Sequence, residues 1–153
     1  MTKEQALNKA AAYCAHAERA PKDVEQKLRD WGMDDDDMDD VMKRLRDDHF
    51  VDEERYAHAF INDKFEYEHW GRIKIAFALR QKGISQSLIN NTMDDVIDPE
   101  KYENILQDLL KSRMKGMALP LAQNDRARLF RFAQQRGFEY DMIIEAVGRV
   151  SKM

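Results

Sequence analysis

The stretch Ile75-Ala76-Phe77-Ala78-Leu79-Arg80-Gln81-Lys82-Gly83-Ile84 decides how this chain folds. It sets apolar residues eight and four positions before a glycine, and another directly after it. The same spacing stands in Val24-x-x-x-Leu28-x-x-x-Gly32-Met33 and in Leu129-x-x-x-Ala133-x-x-x-Gly137-Phe138. Residues four apart share one face of an α-helix, and glycine most readily takes the left-handed conformation that ends one. The agreement runs on past each glycine: six positions later stand Met38, Ile89 and Ile143, and thirteen later Leu45, Val96 and Val150. The glycines are 51 and 54 residues apart, so the chain reads as three copies of one helical unit.

Outward from these tracts, each copy takes three helices. Thr2 with Gln5 makes a capping box, and the helix it opens is expected to run to about Arg19. Pro21 suits the first position of a second helix that stops at Gly32, and Asp34 to Asp37 open a third that reaches about Asp47. The middle copy starts at Asp52, restarts near Gly71 and begins its third helix at Ser85. The last takes Asp98 and Pro99 as cap and first residue, restarts at Asn124-Asp125, and closes with a helix from about Tyr140 to Val150. No stretch alternates with period two for long enough to make a strand. The expected fold is all-α: tandem three-helix repeats over 1–51, 52–97 and 98–153, about nine helices in one continuous, elongated and curved array. Such a surface suits gripping a macromolecule better than enclosing a small molecule.

Composition agrees. With 153 residues, 43% hydrophobic and 35% charged, the chain can bury a core without disulfide or metal. Six glycines and three prolines are too few for the turns of a β-sandwich. Cys14, the single cysteine, lies among alanines and reads as a small buried side chain. No apolar run approaches the ~18 residues of a membrane span, and the polar start Met1-Thr2-Lys3-Glu4 is no signal peptide, so a cytoplasmic protein without membrane contact is expected. The net charge of −4 is uneven: residues 1–50 and 51–100 each carry −4, and 101–153 carry +4. That balance argues against indiscriminate coating of DNA, where phosphate contacts dominate, but leaves a local anionic contact open at the basic end.

Catalytic and metal patterns are missing. His16, His49, His58 and His69 show no zinc spacing, and the run from Asp34 to Asp40 lacks the glycine and glutamate of a calcium loop. Those aspartates fit a helix first turn instead. There is no Walker-type loop, no G-x-G-x-x-G and no G-x-S-x-G. Neither an enzyme nor a cofactor is expected. Met33, Met38, Met93 and Met142 are expected in the core, and Trp31 and Trp70 between helices.

The densest signature is Asp52-Glu53-Glu54-Arg55-Tyr56-Ala57-His58-Ala59-Phe60-Ile61, followed by Gly71-Arg72-Ile73-Lys74 and Leu79-Arg80-Gln81-Lys82-Gly83-Ile84. It resembles the central repeat of the RecX family, D-x-x-R-[FY]-A-x-x-F, then a G-x-x-R-I variant, then L-x-x-K-G-[IV]. Arg19…Lys27-Leu28-x-x-x-Gly32 resembles that family's first repeat, with Ala20-Pro21 standing where a serine commonly opens the second helix. The resemblance implies tandem three-helix repeats and a non-enzymatic regulator that binds RecA and its filament on single-stranded DNA, restraining ATP hydrolysis, strand exchange and co-protease activity. A monomer is expected, and weak direct DNA contact stays open. The expected contacts are basic: Arg72, Lys74, Arg80 and Lys82, with Lys111, Arg113, Lys115, Arg126, Arg128 and Arg131. The alternative is a helix-turn-helix-like DNA-binding protein, although the third helices, around 38–46, 88–97 and 142–150, carry few residues suited to base readout.

Overall fold

The computed structural model describes residues 1–152, and those residues form nine α-helices and no strand. In chain order they are α1 (Lys3–His16), α2 (Pro21–Asp30), α3 (Asp35–Asp47), α4 (Glu53–Glu66), α5 (Arg72–Gln81), α6 (Gln86–Val96), α7 (Pro99–Arg113), α8 (Gln123–Gln135) and α9 (Tyr140–Val150). Tandem triplets of helices are therefore what the chain builds.

Local chemistry sets most boundaries. Thr2 Oγ1 accepts from the Gln5 N–H at 3.1 Å while Gln5 Oε1 accepts from the Thr2 N–H at 2.9 Å, the reciprocal box that frees no donor at the start of α1. Asp34, Asp52, Ser85 and Asp98 each accept from the N–H three residues on, capping α3, α4, α6 and α7. α2 has no side-chain cap at Ala20, and Pro21 at its first position compensates by lacking an N–H that would need one.

The three periodic tracts end alike. Gly32, Gly83 and Gly137 hold φ of 85°, 82° and 95°, and the residue after each returns its N–H to the carbonyl five back: Met33 to Leu28, Ile84 to Leu79, Phe138 to Ala133. α3 ends by the same pair of bonds without a glycine. His49 sits at φ 63°, donating to the Arg46 carbonyl at 3.1 Å, and Phe50 donates to that of Leu45 at 2.9 Å.

Some expectations shift. α1 stops at His16 and not near Arg19, because Ala17 is extended and Arg19 folds back, its Nε donating to the Tyr13 carbonyl at 3.1 Å. α8 starts at Gln123 behind an uncapped Ala122 and not at Asn124-Asp125. Val96 is only half-buried, and Ile97 beyond the helix end takes the core position. Met38 and Met93 are buried as expected, whereas Met33 and Met142 are half-buried. Cys14 is half-buried against the first core, and that burial pushes its thiol above the usual range, the reverse of activation.

The chain clusters into two compact units, Met1–Phe60 with Leu79–Thr92, and Ile61–Ala78 with the chain from Met93 onward. The first buries Ala6, Ala10, Val24, Leu28, Met38, Val41 and Leu45 around α1, α2 and α3. The second buries Phe65, Ile75, Tyr102, Leu106, Leu110, Leu129, Phe138 and Ile143. Each fully buried large apolar side chain contributes roughly 1.5–3 kcal/mol. Both cores draw on the residues eight and four before each glycine: Val24, Leu28, Ile75, Leu79 and Leu129 are fully buried and Ala133 nearly so. No helix of the described residues is long and apolar enough to cross a membrane.

Candidate partner-binding surface

The signature residues hold the fold together. Asp52 caps α4 through the Arg55 N–H, and the Arg55 guanidinium pairs with Glu18 and donates to the His49 carbonyl at 3.0 Å. Tyr56 and Ala57, the next residues along α4, are buried. Lys82 pairs with Asp23 at 3.1 Å, and Lys22 donates to the Gln81 carbonyl at 3.2 Å, so the end of α5 is tied to the start of α2.

Gly71 and Arg72 act in the second unit. The first donors of α5 have no partner within their own helix, and the turn after α8 supplies acceptors: Gly71 N–H to the Arg136 carbonyl at 2.7 Å, Ile73 N–H to that of Gly137 at 2.9 Å. The backbones approach so closely that a Cβ on Gly71 would lie 2.3 Å from the carbonyl carbon of Gly137. The Arg72 N–H donates to the Tyr102 hydroxyl at 2.9 Å, that hydroxyl donates to Glu139, and the other Glu139 oxygen pairs with the Arg72 guanidinium at 2.9 Å. The guanidinium also lies 4.0 Å from the Tyr102 ring centre. Burial, then the bond to Glu139, pushes the Tyr102 phenol far above its ordinary range.

This sorts the ten expected contact residues. Arg72 and Lys82 are engaged inside the fold, and Lys74 holds its ammonium 4.3 Å from the Trp70 ring centre. Trp31 is half-buried and similarly covered, by Lys9 at 4.4 Å, which leaves its face poorly placed to stack a base. Arg80 donates to Gln86 at 2.8 Å, Arg128 pairs with Asp125 at 3.5 Å, and Arg113 stacks 4.8 Å from Phe132. Lys111, Lys115, Arg126 and Arg131 are exposed, and their side chains make no hydrogen bond or ion pair to other described residues. Among the described residues of the second unit, these exposed cations lie on α8 and at or just beyond the end of α7, with Lys152 after α9.

Sequence reasoning missed the apolar part of this surface. Between α8 and α9 runs an open cavity of about 810 Å³ lined by Phe130, Tyr140 and Ile144 with Arg126 and Arg131. Tyr140 and Ile144 are 62% and 51% exposed, on a helix whose Ile143, Ala146, Val147 and Val150 are buried. The available signal was their i, i+4 spacing on α9, off the core stripe Ile143, Val147 and Val150. An apolar strip thus lies beside the guanidinium groups of Arg126 and Arg131.

Comparisons with known proteins agree with this architecture. The family description "RecX, first three-helix domain" matches residues 6–45, and "RecX, second three-helix domain" matches residues 52–93. A regulatory protein RecX of Clostridium botulinum is 28% identical over 133 residues, covering 84% of this chain and 60% of that protein. A regulatory protein RecX of Halorhodospira halophila is 27% identical over 141 residues, covering 92% of this chain and 84% of that one. The chain thus spans less than two thirds of the clostridial relative. The crystal structure of RecX from Lactobacillus salivarius shares the fold at a TM-score of 0.86 and 19% identity, covering 99% of this chain and 97% of that one.

Proposed function

Because this chain belongs to the RecX family, we propose that it binds RecA and the RecA filament on single-stranded DNA, and restrains filament ATP hydrolysis, strand exchange and co-protease activity. A regulatory role follows from the family; the partner and the mode of action are this proposal. The observation that supports it is the pairing of that membership with exposed cations, without side-chain partners among the described residues, on α8 and at or just beyond the end of α7. The contacts are Lys111, Lys115, Arg126 and Arg131, with Arg113 and Arg128 beside them. Arg72 and Lys82 are assigned to the fold. Regulation then works by differential binding: a protein that prefers one arrangement of RecA subunits shifts the filament toward it. No cofactor is needed, and the action is placed in the cytoplasm, by a monomer.

Cosedimentation with RecA filaments on single-stranded DNA tests the binding. Wild-type protein should pellet with filaments, and Lys111→Glu/Lys115→Glu should weaken retention about tenfold, more steeply at low salt, because exposed charges act within a Debye length. Both lysines are exposed, so the variant's melting temperature should be unchanged. Wild-type protein that stays in the supernatant would refute filament binding. The duplex-reading alternative gains nothing from the geometry: α6 has no basic residue in its last turn, and α3 opens on Asp35, Asp36 and Asp37.

A further inference from the structure

The groove between α8 and α9 has a definite chemical pattern. Its apolar strip is formed by Ala127 and Phe130 of α8 facing Tyr140 and Ile144 of α9, with Phe130 and Tyr140 edge to face at 5.2 Å. Arg126 and Arg131 lie five residues apart on α8, about 140° around the helix, so they flank that strip, one on each side. Among the described residues, no other charged side chain lines the groove. Of the carboxylates nearest in sequence, Asp125 pairs with Arg128, Glu139 with Tyr102 and Arg72, and Glu145 with Arg149, while Asp141, in the first turn of α9, does not line the groove. The groove is thus apolar along its middle and cationic along both edges.

We propose that this groove receives an amphipathic helical segment of a protein partner, apolar along the side that enters and acidic along both flanks. The proposal rests on the reading of this chain as a protein that acts through a macromolecular partner, and it names the chemistry of the segment gripped. Helix-in-groove recognition needs apolar anchors at i, i+3 or i+4, and i+7, and Tyr140, Ile144 and Phe130 offer matching apolar surface. Carboxylates on both flanks meet Arg126 and Arg131, where guanidinium forms charge-assisted bonds. A single nucleic-acid strand fits less well, because base stacking needs open aromatic planes. Here Ile144 and Val147 are aliphatic, and the Phe130 ring is turned 71° from that of Tyr140.

A short fluorescein-labelled helical peptide, with leucines on one face and glutamates on both flanks, provides the probe, titrated with the full chain and read by anisotropy. It should bind saturably. Ile144→Glu and Arg126→Glu/Arg131→Glu should each weaken it about tenfold. Exchanging the peptide's glutamates for lysines should restore binding to Arg126→Glu/Arg131→Glu. Arg126, Arg131 and Ile144 are exposed, so folding is retained, and circular dichroism checks it. No binding, binding indifferent to Ile144→Glu, or a labelled oligothymidylate occupying the groove in place of the peptide would each overturn the proposal. Filament cosedimentation of the unaltered protein separates this failure from that of the RecA reading: retention on filaments without peptide binding sinks the groove assignment alone.

Discussion

Gly71→Ala should destabilise the second compact unit by on the order of 4 kcal/mol, a large share of the 5–15 kcal/mol that usually separates a folded domain from its unfolded chain. The added Cβ would sit 2.3 to 2.4 Å from three backbone atoms of Gly137 and Phe138. No side chain can swing aside there; two backbone segments must separate. Separation breaks the bonds from Gly71 to the Arg136 carbonyl and from Ile73 to that of Gly137, leaving those two N–H groups without acceptors. Gly32→Ala is the control. Gly32 also ends a helix at positive φ, but nothing lies within 4 Å of its added Cβ, so only the backbone conformation is penalised, at about 1 kcal/mol. Urea unfolding of both variants measures the contrast. Equal losses would mean that close contact at Gly71 is not what the fold depends on.

The second large effect belongs to Tyr102→Phe, expected to lower stability by about 2 kcal/mol. Phenylalanine keeps the ring contacts, 5.9 Å to Phe65 and 5.0 Å to Phe138 between centres, so the loss isolates the hydroxyl. Without it the Arg72 N–H has no acceptor and one Glu139 oxygen has no donor. The hydroxyl also makes stability pH-dependent. Burial, reinforced by the bond to Glu139, holds the folded phenol far above its ordinary 10.0. A raised phenol means that the folded state keeps a proton the unfolded chain has lost, so the contribution is complete below pH 10 and declines as pH rises above it. Tyr102→Phe should therefore flatten the alkaline fall in stability. It should not remove it, because burial also raises Tyr56. Tyr140→Phe, at a 62% exposed position, should leave stability at neutral pH unchanged. An unaltered alkaline limb in Tyr102→Phe would show that the hydroxyl is not held as described.

The features legible in the sequence are those set within a few residues. The helix ends at Gly32, Gly83 and Gly137 combine a left-handed residue with apolar partners four and eight positions back, and both signals are local. The caps at Thr2, Asp34 and Asp98 are local as well. His49 ends α3 in the same conformation, but a histidine there gives no local warning, and the surroundings, including the Arg55 bond to its carbonyl, hold it in place. Gly71 and Arg72 were visible as a motif, while the reason for them, Gly137 and Glu139, lies more than sixty residues away. Basic charge alone could not tell Arg72, paired through Glu139 and Tyr102, from Arg126 and Arg131, which face solvent. The groove was illegible for a related reason: Phe130, Tyr140 and Ile144 look like ordinary core residues until the packing of α8 on α9 shows that the core is already filled by Leu129, Ile143 and Val147.

One division of labour follows. Among the motif residues, Arg55, Gly71, Arg72 and Lys82 bond to residues outside their own helices, Asp52 caps α4 and Tyr56 is buried. The surface we propose for a partner lies on less patterned residues at the end of α7 and on α8 and α9. Variants of the motif should therefore lose stability first and binding as a consequence, whereas variants of the surface should lose binding alone.

The most direct test of the central claim is ATP hydrolysis by RecA on single-stranded DNA, with the purified chain titrated in below one molecule per RecA. The account predicts that hydrolysis falls while RecA stays on the DNA, and that Lys111→Glu/Lys115→Glu restores much of it. Undiminished hydrolysis at excess protein, with RecA from the same bacterium, would contradict it.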